Sequence, residues 1–406
     1  MEPMNKQEIQ AYLIKNKLFP ADADFKTVDI LEENPSSEGY VNKLFQVIDQ
    51  NTGKSVVVKQ VMPYMLSVAR ATGEMHTFSM DRMKTEIRAM VFMNTLCHGI
   101  VPEIYRADYK NGIFVMEDLC DLGLLRFDLA DGITYPNVGK ELGAYLAGLY
   151  FYTSAAMLGE NEKDLLTLYF LSKETFTINS FLNQECALIN LEKPMEPEVL
   201  PIRERIVNNP VILAELKKLS DKFLTAKECL AHNDLHTSNV MIDATNLKLI
   251  DTEFAGYTAA FMDPGRLISS FIVNYISWLG TPDIPMEKRM AMQAYDIQMI
   301  KDFCNAYERT LMKLWHINDI DGEPNGKFEI ILRESIEYAM ACVALRVQSS
   351  MAQSCEIKRI TNHDDLVLVQ TRALQMAEYV LQNAADFRNV DQFCEFLWCC
   401  CGVEIQ

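Results

Sequence analysis

The sequence lacks several features that would settle its class at once. The N-terminal "MEPMNKQEIQ" has no apolar core, so no secretory leader is expected. The stretch that comes nearest to a membrane span is "LGAYLAGLYFYTSAAMLG" (142–159). It is uncharged but carries Tyr145, Tyr150, Tyr152, Thr153 and Ser154, whereas a span needs about 20 strongly apolar residues. It reads as a helix buried in a large lobe. The eleven cysteines are odd in number and irregularly spaced, and "WCCC" (398–401) has no partner pair at metal-ligand spacing. No structural metal is expected at Cys399, Cys400 or Cys401, and reduced thiols in a cytoplasmic protein are. Repeats and low-complexity segments are missing as well. Positive charge is scarce: 38 Lys and Arg face 56 Asp and Glu, a formal charge of −18. This argues against nucleic acid or an anionic membrane as the main partner. A protein so acidic handles phosphates only by concentrating positive charge locally or by recruiting metal ions. Finally, there is no G-x-G-x-x-G; "SSEGYVNKLFQVI" (36–48) offers only Gly39, with Asn42 shortly after.

What is present is a 406-residue globular composition, 49% hydrophobic and 23% charged, too long for one ordinary core. "KLFQVID" (43–49) and "KSVVVKQV" (54–61), separated by "QNTG", read as a hairpin. "MDRMKTEIRAMVFMNTL" (80–96) has Met83, Ile87, Met90 and Val91 at helical spacing, and "GIFVMEDL" (112–119) is a strand ending in acidic residues. Beyond about residue 120 the chain turns mostly helical. The expected fold is α+β: a small lobe with an antiparallel sheet over residues 1–119, followed by a larger, mostly helical lobe over residues 120–406.

The most specific signal is "AHNDLHTSNVMID" (231–243). Asp234 lies two residues after His232 and five before Asn239, the H-x-D-x-x-x-x-N spacing of a phosphoryl-transfer loop. Asp234 would orient the acceptor hydroxyl, Asn239 would serve as a metal ligand, and His232 would brace the loop. After "LKLI" come Asp251 and Glu253, two apart; in an extended segment both carboxylates face one side and repel unless a cation sits between them. The apolar runs "VMI" and "LKLI" around "DATN" fit a small hairpin carrying both loops. Lys59, ending Val56-Val57-Val58, occupies the place of a nucleotide-phosphate lysine, and Glu86 on the following helix would be its ion-pair partner. Each of these two is bland alone, as a strand-end lysine and an exposed helix residue; their combination with the loop motifs is not.

Together these residues resemble the small-metabolite kinases related to aminoglycoside and choline kinases, and within them the 5-methylthioribose kinases. The resemblance rests on "EGYVN", "VKQVMPY" (58–64), Glu117-Asp118-Leu119, "YPNVGKELGAYLAGLYFYTS" (135–154), "FLTAKECLAHNDLHTSN" (223–239) and "IDTEFAGYTAAFMD" (250–263), in order along nearly the whole chain. It implies a two-lobed protein-kinase-like fold, with residues 1–119 as the nucleotide-binding lobe ending in a hinge and residues 120–406 as the catalytic and substrate-binding lobe. It also implies transfer of the γ-phosphate of ATP, with Mg²⁺, to the 1-hydroxyl of 5-methylthioribose in methionine salvage, by a cytoplasmic homodimer. Carried over by position, Asn42, Lys59, Glu117, Asp118, Leu119, Asp251 and Glu253 would contact the nucleotide, joined by Gly39 and Glu86 from the reading of the residues themselves. Asp251 and Glu253, with Asn239 from the loop spacing, would hold the metal, and Asp234, Arg346 and His76 would face the sugar. The chain departs from the family at His76, where a Trp is usual, and at Val347, where a second Arg would follow Arg346; Asn239 replaces the family's Ser. These departures keep open a kinase for another small sugar or amino alcohol. A non-catalytic kinase-like binding protein is disfavoured because Lys59, Glu86, Asp234, Asp251 and Glu253 are all present.

Overall fold

The computed structural model of the chain describes residues 2–33, 42–64, 77, 79–172, 196–322, 324–348 and 355–401. Two of the residues singled out above, Gly39 and His76, lie outside the described residues. The backbone divides into two units, one of Met1–Gly123, Ser172–Thr175 and Met241–Ala255, the other of Leu124–Leu171, Phe176–Val240 and Gly256–Gln406.

The first unit is built on a five-stranded antiparallel sheet. Its strands are β1 (Phe25–Asp29), β2 (Lys43–Asp49), β3 (Ser55–Gln60), β4 (Ile104–Asp108) and β5 (Ile113–Met116), in the order β1-β2-β3-β5-β4. The expected hairpin is β2–β3, with Val47 opposite Val56 and Leu44 opposite Lys59. Its turn closes through Gly53 at φ +73°, a conformation glycine adopts without a Cβ penalty. Strand alternation decides which side chains meet the core. Phe45 and Val47 of β2, Val56 and Val58 of β3 and Val115 of β5 pack with Ile9 and Leu13 of helix α1 (Lys6–Lys15) in one apolar cluster. The same alternation turns Lys59 to the opposite face from Val58. Helix α2 (Asp81–Leu96) buries Met83, Ile87 and Met90 of its apolar pattern but leaves Val91 exposed, and it also buries Arg82 and Glu86, which that pattern does not announce. The hairpin expected around "DATN" is present as β6 (Val240–Ile242) and β7 (Leu247–Leu249), and α2 packs on the turn that follows it.

The second unit is mainly helical, and its helices include α3 (Leu125–Asp131), α4 (Val138–Thr153), α5 (Met262–Ser277), α6 (Met286–Ile317), α7 (Pro324–Gln348) and α8 (His363–Asn383), with a short antiparallel pair, Cys229–Ala231 and Gly256–Thr258. The uncharged run of the sequence falls largely within α4, whose Leu142, Tyr145, Leu146, Leu149, Tyr150 and Phe151 are buried. No helix among the described residues is long and apolar enough to cross a membrane.

Helix α4 packs against α6 through glycine. A Cβ on Gly143 would sit 2.2 Å from the Phe303 carbonyl oxygen, and one on Gly139 2.5 Å from that of Met299. The two glycines are four apart, as are Met299 and Phe303, so backbone lies on backbone along one face. Gly143→Ala should therefore cost about 3 kcal/mol or more, because the helices must separate to admit the methyl group. Gly148, in the same helix, has nothing within 4 Å of its Cβ direction, so Gly148→Ala should stabilise by about 0.5–1 kcal/mol. Chemical denaturation of the two variants checks this; equal midpoints would show that the close approach is wrong.

Candidate active site

In the first unit, Lys59 is carried inward by β3 and is only 5% exposed. Its Nζ donates to Glu86 Oε1 at 2.6 Å and to Asp251 Oδ1 at 2.7 Å. The ion pair expected from sequence spacing is thus present, with Asp251 as a second partner. Burial alone would lower the Lys59 pKa; Asp251, Glu86 and Glu253 overcome it, so the ammonium is held above its ordinary value. Burial pushes Glu86 above the usual carboxylate range, against the pull of Lys59.

The segment after β7 is not extended, contrary to the sequence expectation. Asp251 sits at φ +62°, ψ +50°, and Thr252–Phe254 forms a 3₁₀ turn. Aspartate tolerates this left-handed conformation better than most residues, so the chain reverses immediately after the strand. The carboxylates converge by that turn rather than by strand alternation: oxygens of Glu86, Asp251 and Glu253 lie within 4.8 Å of one another. Three hard oxygen donors at this spacing suit a divalent cation such as Mg²⁺. Asp251 is the accessible member, its side chain 40% exposed, whereas Glu86 and Glu253 are both 2%.

The buried Arg82 reaches the same turn. Its Nη1 donates to Glu253 Oε2 at 2.7 Å and to Asn42 Oδ1 at 2.6 Å, and its Nη2 to the Met62 carbonyl. Asn42 Nδ2 also donates to Glu253 Oε2, at 3.3 Å. Sequence reasoning missed Arg82. Its signal was its place four residues before Glu86, which puts both on one helix face. Further along, Glu117 accepts from Lys248 Nζ at 2.6 Å and from the Glu103 N–H, and Asp118 accepts from Gln46 Nε2 and the Cys120 N–H. Both carboxylates pin the segment before Leu119, which is buried.

In the second unit, the loop from His232 is tied down by Asp263 of α5, whose two oxygens accept the N–H groups of His232 (2.7 Å) and Asn233 (2.9 Å). Asn233 takes φ +65°, which reverses the chain, and His232 Nδ1 accepts the Asp234 N–H, the bracing role expected of it. Asn239 Nδ2 donates to the Asp234 carbonyl at 2.8 Å. This leaves Asp234 half-buried with its carboxylate between two donors. Arg266 Nη2 stands 3.5 Å from Oδ1 and His236 Nε2 3.6 Å from Oδ2. His236 Nδ1 accepts the Ser238 N–H, which assigns the proton to Nε2. Burial would raise the Asp234 pKa, but His236 and Arg266 hold it far below the carboxylate range. Burial keeps His236 down at about 4 despite Asp234, so it is neutral at pH 7.

Arg346 of α7 is lowered to about 10, by burial first and then by Arg126 and Arg266. Arg126 of α3 and Arg266 of α5 thus add their positive charge to that of Arg346, with Arg126 also paired to Glu356 at 3.6 Å. That is the local concentration of positive charge that an acidic phosphate-handling protein requires. Val347 beside Arg346 is fully buried. Of these groups the sequence reading found Arg346 alone. Arg266 is the one basic residue of a helix in which all sixteen positions are buried.

The family model described as "Phosphotransferase enzyme family" matches residues 35–295. Among curated proteins, the methylthioribose kinase of Bacillus velezensis is 27% identical over 97% of this chain and 96% of its own length. That of a Geobacillus species is 26% identical over 94% and 92%. The Geobacillus kaustophilus enzyme is 25% identical over 97% and 96%.

Proposed function

We propose that this chain, which belongs to the phosphotransferase enzyme family, transfers the γ-phosphate of ATP to the 1-hydroxyl of 5-methylthioribose. The observation that carries the reading is the buried Lys59 ammonium, held 2.6 and 2.7 Å from Glu86 and Asp251. Phosphoryl transfer demands such a preset cation more than it demands covalent chemistry. The acceptor follows from near full-length similarity to proteins named methylthioribose kinase. A cytoplasmic homodimer acting in methionine salvage goes with the same resemblance.

Lys59 binds α- and β-phosphate oxygens, and Glu86 keeps its ammonium in place. Asp251 and Glu253 would hold the nucleotide's Mg²⁺. When bound, the metal neutralises charge on the phosphate oxygens. Asp234 accepts a hydrogen bond from the sugar hydroxyl and aims its oxygen at the γ-phosphorus. Because its acidity is so strongly enhanced, Asp234 orients the hydroxyl first and takes its proton only as the new P–O bond forms and the bond to ADP breaks. Arg346 and Arg266 offset the charge of the moving phosphoryl group.

ADP release by purified protein with Mg²⁺ and ATP tests the reading, comparing 5-methylthioribose with ribose, choline and an aminoglycoside. Selective turnover of methylthioribose with kcat/KM of at least about 10⁴ M⁻¹s⁻¹ is the expected result. Preference for ribose or an amino alcohol would transfer the activity to the second reading, which the buried, apolar Val347 favours. No turnover on any acceptor would remove the kinase assignment.

A further inference from the structure

The nucleotide cluster carries an arginine that a lysine–carboxylate clamp does not itself need. Arg82 is 1% exposed, and its guanidinium joins three separate segments of the first unit. These are Asn42 at the start of β2, the Met62 carbonyl after β3, and Glu253 in the turn after β7. Its partner oxygen is always the same one on Glu253: Oε2 accepts both Arg82 Nη1 and Asn42 Nδ2. Glu253 therefore keeps Oε1 to offer to an ion. Asp251 is restricted in a parallel way, with Lys59 on its Oδ1.

This matters because hard cations differ in what they ask of a carboxylate. Mg²⁺ takes six ligands in a tight octahedron at about 2.0–2.1 Å and usually accepts one oxygen per carboxylate. Ca²⁺ takes about six to eight oxygens at roughly 2.3–2.6 Å and readily uses both oxygens of one carboxylate. We propose that Arg82 is a positioning residue for metal selectivity: by occupying Glu253 Oε2 together with Asn42, it confines Glu253 to one-oxygen coordination and so favours Mg²⁺ over Ca²⁺. The proposal rests on the nucleotide-site reading above and adds to it a residue outside the recognised motifs.

The experiment is calorimetric titration of ADP into the full chain in Mg²⁺ and, separately, in Ca²⁺. The wild type should bind ADP at least about tenfold more tightly with Mg²⁺, and Arg82→Met should reduce that ratio to about threefold or less, because Glu253 can then present both oxygens. Arg82→Lys, which retains a cation against Oε2, should restore most of the preference. A purely structural role for Arg82 would weaken both complexes in proportion and leave the ratio unchanged, which overturns the proposal. Should Arg82→Met not fold, the wild type still decides. Its infrared difference spectrum on adding Mg²⁺ to the ADP complex should show the wide carboxylate splitting of one-oxygen coordination. A two-oxygen signature, or equal ADP affinity in Mg²⁺ and Ca²⁺, sinks the proposal while leaving the nucleotide site standing. ADP binding that ignores divalent ions altogether removes both.

Discussion

Asp234→Asn is expected to lower kcat by about 10³–10⁴ while ADP binding changes less than about threefold. The size follows from two losses at one position. An amide cannot accept the hydroxyl proton as the P–O bond forms, and it cannot accept from both of its neighbours. Arg266 and the Nε2–H of His236 are both donors aimed at Asp234, so one of them would meet the amide NH₂. The nucleotide contacts proposed for Lys59, Glu86 and Asp251 are untouched by the change. Rapid-quench measurement of kcat and calorimetric titration with ADP separate the two effects. Wild-type kcat in the variant would show that Asp234 is not the acceptor-facing group.

Lys59→Met should reduce kcat/KM for ATP by about 10²–10³, the cost of removing one preset charge from a phosphate site. Stability should fall as well, and in a pH-dependent way. Without Lys59, Glu86 remains 2% exposed and loses the ammonium that opposes its burial. Its folded pKa then rises further above the ordinary value of 4.5. A group with a raised folded pKa contributes stability that is complete below the unfolded pKa and is lost as pH rises through the folded one. The melting temperature of Lys59→Met should therefore drop further below wild type at pH 8 than at pH 5. A deficit that is the same at both values would mean that Glu86 is not left carrying an uncompensated charge.

The parts of the site that were readable in advance share one property: their partners are set by short-range geometry. Lys59 follows a run of β-branched residues, and in a strand that run fixes both the pleat and the face on which the lysine emerges. Glu86 lies a turn beyond the start of a helix whose apolar stripe was visible. The spacing from His232 to Asn239 matches the loop because the bonds that shape it, from Asp234 N–H to His232 and from Asn239 to the Asp234 carbonyl, run over two and five residues. The acidic pair failed as an extended segment because nothing local betrays a left-handed aspartate. Its conformation is stabilised by packing on α2, more than 150 residues away in the chain.

Arg82 and Arg266 were hidden for a related reason. In sequence, a charged residue within a helix reads as solvent-facing unless its partner is known, and these partners lie 171 and 32 residues away. The β2–β3 hairpin, the helix after it, the helical second half and the spacing of the His232–Asn239 loop were determined by sequence alone, since each depends on periodicity or on bonds between near neighbours. Only the tertiary structure decided that Met241–Ala255 returns to the N-terminal unit. It alone also decided that Arg82 claims one oxygen of Glu253 and that Arg266 stands beside Asp234. Burying a charge is tolerable only where an opposite charge is already in place, and that place is created by the fold.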